Sequence, residues 1–216
     1  MKKLYIVLIK PHTLLGSAAR KISGYEYTHI AVSLDSSLTD FISFSRRRHY
    51  QPFDAGFMHE KRDFYAYGKY RYFKAKIFRI DITDEIFTCV IKFITSCEND
   101  SELVFNLLSM VTMPVFHGIN IYKAYNCMSF SAKILQLSGV NLSKPFYRYS
   151  IKDIDKLLDG KCVFEGKIPR IPSAEYKAYM KKSTFCEYIK TMLGLSAELI
   201  GRLVKKNDRK SIKGVA

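Results

Sequence analysis

The opening of the chain carries the tightest constraint on its fold. Leu4-Tyr5-Ile6-Val7-Leu8-Ile9 is an unbroken apolar run, entered from Lys2-Lys3 and stopped at Lys10-Pro11. Such a run reads as a first strand buried in a core. It falls short of the ~7–15 apolar residues of an export signal, and no small-residue cleavage site follows it. No window approaches the ~20 apolar residues of a membrane span. The expected location is therefore the reducing cytoplasm. The chain has 216 residues, 48% of them hydrophobic, which is enough for one cored domain with an appendage. Its five cysteines are too few, and odd in number, for a disulfide scaffold.

The formal net charge of +15 invites a polyanion-binding reading, and its distribution tests that reading. Residues 1–45 carry +2 and residues 80–172 carry zero, whereas 46–79 carry +7 and 173–216 carry +6. The first basic stretch runs from Arg46-Arg47-Arg48 into Phe64-Tyr65-Ala66-Tyr67-Gly68-Lys69-Tyr70-Arg71-Tyr72-Phe73-Lys74. Interleaved aromatics and cations could stack bases and hold phosphates. Aromatics also favour strands, with the cations on the wet face, and no nucleic-acid-binding signature accompanies them. The strand reading is preferred.

Further along, Leu14, Leu15, Ala18, Ala19 and Ile22 give a short helical pattern over Leu14–Ser23, closed by Gly24. Tyr27–Leu34 alternates as a strand, Asp35-Ser36-Ser37 has turn chemistry, and Leu38–Ser45 reads as the return strand. Residues 69–82 hold one or two strands, and Asp84–Ser96 a helix. Leu103–Phe116 is densely apolar and broken by Pro114, readable as a core helix or as a lipid-facing patch. Asn126 caps a helix over Cys127–Ser138, Ser150–Leu158 forms another, and Cys162–Gly166 a late strand. Residues 185–204 form a basic amphipathic helix, or two, since Gly194 and Gly201 interrupt the pattern.

Phosphate-cradling and standard zinc motifs are absent from the sequence, which leaves cysteine and histidine. Cys89, Cys97, Cys162 and Cys186 have the addresses of small hydrophobes or idle thiols. Cys127 differs. It stands in the first turn of a helix behind a capping Asn126, where free N–H groups and the helix dipole favour thiolate and could hold an oxyanion. A thiolate nucleophile needs a base, normally histidine. His29 alone among the five histidines lies inside a well-defined strand, on the face opposite Ile30, Val32 and Leu34.

These segments resemble a known family. Tyr27-Thr28-His29-Ile30-Ala31-Val32 resembles the Y-S-H-h-G-h strand of the circularly permuted NlpC/P60, papain-like hydrolases, in which His precedes Cys. Asn126-Cys127-Met128-Ser129-Phe130-Ser131-Ala132 resembles their C-S-x-F-h-A helix start. Phe41-Ile42-Ser43-Phe44-Ser45-Arg46 resembles the Y-S-F-G-R segment of an uncharacterised bacterial branch. Gly56-Phe57-Met58-His59-Glu60 falls where that branch has G-F-h-x-E, and Val163-Phe164-Glu165-Gly166 is similar to its closing V-Y-E-G strand. The resemblance spans roughly residues 4–168 and leaves the tail unaccounted for.

The resemblance implies an α+β fold, an antiparallel sheet packed against helices, with a hydrolase domain over 1–172 and a basic helical tail over 173–216. It implies Cys127 as nucleophile and His29 as its base. Many members orient the imidazole with an acidic or amide side chain on the next strand, and the matching place here is Ser43. A three-residue turn at Asp35–Ser37 pairs Leu34 with Leu38 and sets Ser43 opposite His29; a two-residue turn would oppose Phe44. Tyr27, two residues before His29, is expected to offer its hydroxyl to substrate. The implied activity is hydrolysis or acyl transfer at an amide, ester or thioester of a small-molecule, lipid or peptide substrate. No metal or organic cofactor is required, and nucleic acid is not an expected partner. The tail 173–216 is the expected peripheral contact with anionic membrane. The competing reading is a non-catalytic basic module that binds anionic membrane or nucleic acid.

Overall fold

A computed structural model describes residues 1–213; residues 214–216, the end of the expected 173–216 tail, lie outside the described residues. The chain opens with β1 (Lys2–Lys10), α1 (Leu14–Ser23), β2 (His29–Ser33), β3 (Phe41–Arg48) and β4 (Gln51–Glu60). Then come α2 (Arg62–Tyr65), β5 (Tyr72–Ile82), α3 (Asp84–Asn99), β6 (Val104–Phe105) and α4 (Leu107–Phe116). The remainder is β7 (Ala124–Tyr125), α5 (Cys127–Leu137), a 3-10 turn at Phe146–Arg148, α6 (Ile151–Leu157), β8 (Cys162–Pro169), α7 (Tyr176–Tyr179) and α8 (Phe185–Lys213).

The architecture is α+β. Six strands form one sheet in the order β4-β3-β2-β1-β5-β8, each antiparallel to its neighbours. The apolar opening run explains the centre of that order, because β1 is buried on both faces. Leu4, Ile6 and Leu8 meet Ile30, Val32, Phe44 and Phe78, together with Phe130, Ile134 and Leu135 of α5 and Val90 and Ile94 of α3. Tyr5, Val7 and Ile9 meet Ala31, Phe41, Tyr65, Phe73 and Ile77 on the other face. β6 and β7 make a separate two-stranded parallel ladder, Phe105 opposite Tyr125, immediately before α5.

Helix boundaries follow their caps. Thr13 accepts from Gly16 N and Gly24 closes α1 at φ 60°, in the left-handed region that suits glycine. Asn126 and Ser129 form a capping box at α5, as do Ser150 and Asp153 at α6. Residues 69–82 yield one strand, and α8 runs unbroken through Gly194 and Gly201. The apolar segment 103–116 divides into a short strand and a helix, separated by the cap Asn106.

Two departures from the sequence pattern position the site. The β2–β3 connection is longer than a three-residue turn, and Val32 pairs with Ile42. Asp35 holds it by accepting from the N–H groups of Ser37 and Leu38, and Arg62 donates to Leu38 O at 2.7 Å. The register is thus displaced by two residues, which leaves every side chain on its expected face. The second departure is β4, for which the sequence showed no strand signal. Pro52 and Gly56 interrupt its pattern; Pro is tolerated because β4 lies at the sheet edge, and Gly56 makes room for the Arg47 side chain.

Candidate active site

Two element starts meet at the site. His29 is the first residue of β2, paired with Ile9 of β1, and Cys127 is the first residue of α5. The Cys127 thiol lies beside the His29 ring, close enough to help raise the imidazole pKa. Cys127 is 6% exposed, and the His29 side chain 13%. The capping box holds the start of α5: Asn126 Oδ1 accepts from Ser129 N at 2.9 Å, and Ser129 Oγ accepts from Asn126 N at 3.0 Å. The first-turn N–H groups of a helix have no partner within it, so the N–H of Cys127 has no acceptor inside α5.

The group on the other side of the imidazole is Glu60, where the sequence pattern had placed Ser43. His29 Nε2 lies 2.8 Å from Glu60 Oε2. Ser43 sits one layer behind: its hydroxyl donates to Glu60 Oε2, while Ser45 Oγ donates to Glu60 Oε1 at 2.9 Å. Strand pairing explains this relay. Glu60 ends β4 opposite Phe41, Ser43 opposes Met58 and Ser45 opposes Gly56, so Phe41, Ser43, Ser45 and Glu60 share one face. The two-residue register displacement keeps Ser43 on the His29 face but gives the ring nitrogen to a carboxylate from the strand beyond.

Electrostatics follow from burial and pairing. Burial by itself would lower the His29 pKa, but the charge of Glu60 and the hydrogen bonds to Cys127 and Glu60 prevail and hold it raised. Burial would raise Glu60, yet the His29 charge and the donors His29, Ser43 and Ser45 keep it below the ordinary carboxylate value. Tyr65 walls the pair, its ring centroid 5.7 Å from that of His29. Its phenol is held protonated by burial and by the charge of Glu60. The imidazole is thus largely buried beside a thiol and a buried carboxylate.

Tyr27 is placed elsewhere. It is 4% exposed, and its hydroxyl donates to Glu165 at 2.7 Å, part of a cross-sheet network with Lys74, Lys76, Glu26 and Asp155. A substrate-facing hydroxyl is therefore replaced by a tie that fastens β8 to the sheet. Among the other thiols, Cys97 is buried and pushed up to about 12 by that burial, whereas Cys89, Cys162 and Cys186 are exposed. Among the described residues, no group of three or more His, Cys, Asp and Glu stands together as a metal site.

Compared with family models, curated proteins and solved structures, the chain matches none. The site is accordingly read from its own chemistry. Glu60 is the residue that the sequence pattern passed over. The signal lay in Gly56-Phe57-Met58-His59-Glu60, whose final carboxylate coincides with the last position of the G-F-h-x-E stretch. The basic tail docks on the body rather than standing free. Ser173 N and Oγ donate to the buried Asp63 at 2.7 and 3.0 Å, and Leu199 of α8 is 1% exposed against Ile121 and Ala124. No helix among the described residues is long and apolar enough to cross a membrane.

Proposed function

We propose that this chain is a cysteine-dependent hydrolase or acyltransferase of the permuted papain-like kind, acting on an amide, ester or thioester through Cys127, His29 and Glu60. The observation that carries the reading is the His29 ring held between the Cys127 side chain and the Glu60 carboxylate, the latter at 2.8 Å. The order His before Cys, on a strand start and a helix start, supports the family likeness. So does the antiparallel sheet against which α5 packs.

The chemistry runs in two balanced halves. Cys127 gives its proton to His29, and a cationic imidazolium beside a cysteine favours the thiolate. The sulfur attacks the carbonyl carbon, and the oxyanion that forms is held by the N–H of Cys127 at the helix start. As the tetrahedral centre collapses, His29 returns the proton to the departing nitrogen, oxygen or sulfur, leaving an acyl-thioester. Neutral His29 then takes a proton from water, or from an acceptor hydroxyl or amine, which attacks the thioester. The second collapse frees the acyl product and returns the proton to Cys127. Glu60 keeps its charge throughout, fixing the ring and stabilising each imidazolium.

Alkylation by iodoacetamide at pH 6–7, read residue by residue by mass spectrometry, tests the pair. Cys127 is expected to react faster than Cys89, Cys162 and Cys186, although those are exposed and Cys127 is 6% exposed. The advantage is expected to vanish in His29→Ala. The reading fails if Cys127 in the native chain reacts no faster than Cys97 or Cys186.

A further inference from the structure

β8 is an open edge of the six-stranded sheet. The opposite edge, β4, has α8 and β6 packed against it, whereas no strand among the described residues pairs with β8 beyond β5. Cys162, Val163, Phe164, Glu165, Lys167 and Pro169 are all exposed, Val163 by 50% and Phe164 by 42%. An uncovered edge of eight residues that carries apolar side chains is a template for another strand.

Hydrogen-bond alternation decides which backbone groups are free. Arg170 N donates to Arg71 O, and Ile168, Gly166 and Phe164 oppose Phe73, Ala75 and Ile77 of β5. In an antiparallel ladder every second residue bonds to the same neighbour, so Ile168, Gly166 and Phe164 turn their backbone groups toward β5. Those of Glu165 and Lys167 point away from it. Pro169 also points outward, but it has no N–H and ends the free edge.

The edge is complementary to itself about Gly166. Two antiparallel copies of β8 centred there set Glu165 of each opposite Lys167 of the other, at the positions whose backbone groups are free. Gly166 then faces Gly166 in a non-hydrogen-bonded pair, where Cα atoms approach to about 4.5 Å and a glycine fits best. Phe164 of each faces Ile168 of the other. Moving the centre by one residue sets Glu165 against Glu165 or Lys167 against Lys167, and moving it by two loses both opposite-charge pairs. A lysine at an edge usually keeps other strands away. Lys167, however, already lies opposite Lys74 of β5, and no carboxylate among the described residues is within ion-pair distance of it; its ammonium sits over the Tyr72 ring, 4.9 Å from the centroid. A carboxylate from a second copy would offset that like-charge pair. Glu165 is held on the matching face by the Tyr27 hydroxyl. We propose that two copies of this chain pair antiparallel through β8 about Gly166, joining their six-stranded sheets into one. The pairing goes beyond the chemistry at Cys127 and does not depend on it.

Sedimentation equilibrium of the full chain measures the association, and the native chain and Cys127→Ala should dimerise alike. Lys167→Glu lines the seam with carboxylates and should weaken the dimer tenfold or more, whereas Lys167→Ala should weaken it less. Both variants should keep the native circular dichroism spectrum, since Lys167 is exposed. Gly166→Cys tests the register. Under copper-phenanthroline oxidation two copies should crosslink through position 166, well beyond the native chain with its exposed Cys89, Cys162 and Cys186. The added side chain meets only the tip of the exposed Phe164 ring, which can swing aside. A chain that stays monomeric across the micromolar range overturns the proposal. So does a dimer that Lys167→Glu leaves intact, or one that Gly166→Cys fails to crosslink. A dimer dissolved instead by Leu14→Ser with Leu15→Ser, on the exposed face of α1, overturns it too.

Discussion

Glu60→Gln is expected to slow alkylation of Cys127, and any turnover, by roughly 10²–10⁴-fold, the range seen when the carboxylate behind a catalytic histidine becomes an amide. The substitution is nearly isosteric, and its single amide oxygen can still accept from one of Ser43 and Ser45, which donate to different carboxylate oxygens in the native chain. What disappears is the charge and the acceptor at 2.8 Å from His29 Nε2. Without them burial dominates, and the ring loses its proton at a lower pH than in the native chain. Stability follows the same groups. The raised His29 pKa contributes stability that is fully present below its ordinary value of 6.5 and is lost as pH rises through the raised one. The lowered Glu60 pKa contributes stability fully present above its ordinary value of 4.5 and lost as pH falls through the lowered one. Both therefore act in full between pH 4.5 and 6.5, and the native excess over Glu60→Gln should be largest there. Melting curves across pH, with an NMR titration of the His29 ring, measure this. An unchanged alkylation rate in Glu60→Gln would remove Glu60 from the site.

The site was more legible in the sequence than the surface around it. Cys127 was marked by a local rule, a capping residue followed by a first-turn thiol, and local rules survive folding. His29 was marked by strand alternation, which a two-residue register displacement preserves. Glu60 demanded a non-local fact, that a broken pattern with Pro52 and Gly56 is an edge strand paired to β3. Once Phe41 faces Glu60, the Ser43 position predicted to touch the ring becomes a support for the residue that does. α1 shows the converse. Its period correctly gave a helix over Leu14–Ser23, but periodicity says only that a face is apolar, not what covers it. Tyr27, expected to begin the second strand, lies two residues before β2 starts at His29, and its partner Glu165 arrives from a strand far along the chain.

Arg202 is where the tail joins the body of the fold, and Arg202→Ala is expected to destabilise it by about 2–4 kcal/mol. Its Nη1 donates to Tyr122 O and Lys123 O, both at 2.9 Å, and its Nη2 to Glu102 O at 2.7 Å. One guanidinium therefore joins the chain entering β6 to the chain entering β7, and β7 leads straight into Asn126 and Cys127. The side chain is 14% exposed, and removing it takes a charged donor from three carbonyl oxygens at once. Arg202→Lys carries a point charge in place of the planar fork and should recover only part of the loss. Truncation after Pro172 goes further, because it also strips Leu199 from Ile121 and Ala124 and Ser173 from Asp63. Hydrogen exchange should show residues 119–126 losing protection first, and Cys127 alkylation should slow with it, since the cap that orients α5 is anchored through that segment. If the chain ending at Pro172 melts like the full one, α8 is an appendage and Arg202 braces nothing. If Arg202→Ala loses stability while Cys127 keeps its alkylation rate, the brace holds the fold but not Cys127.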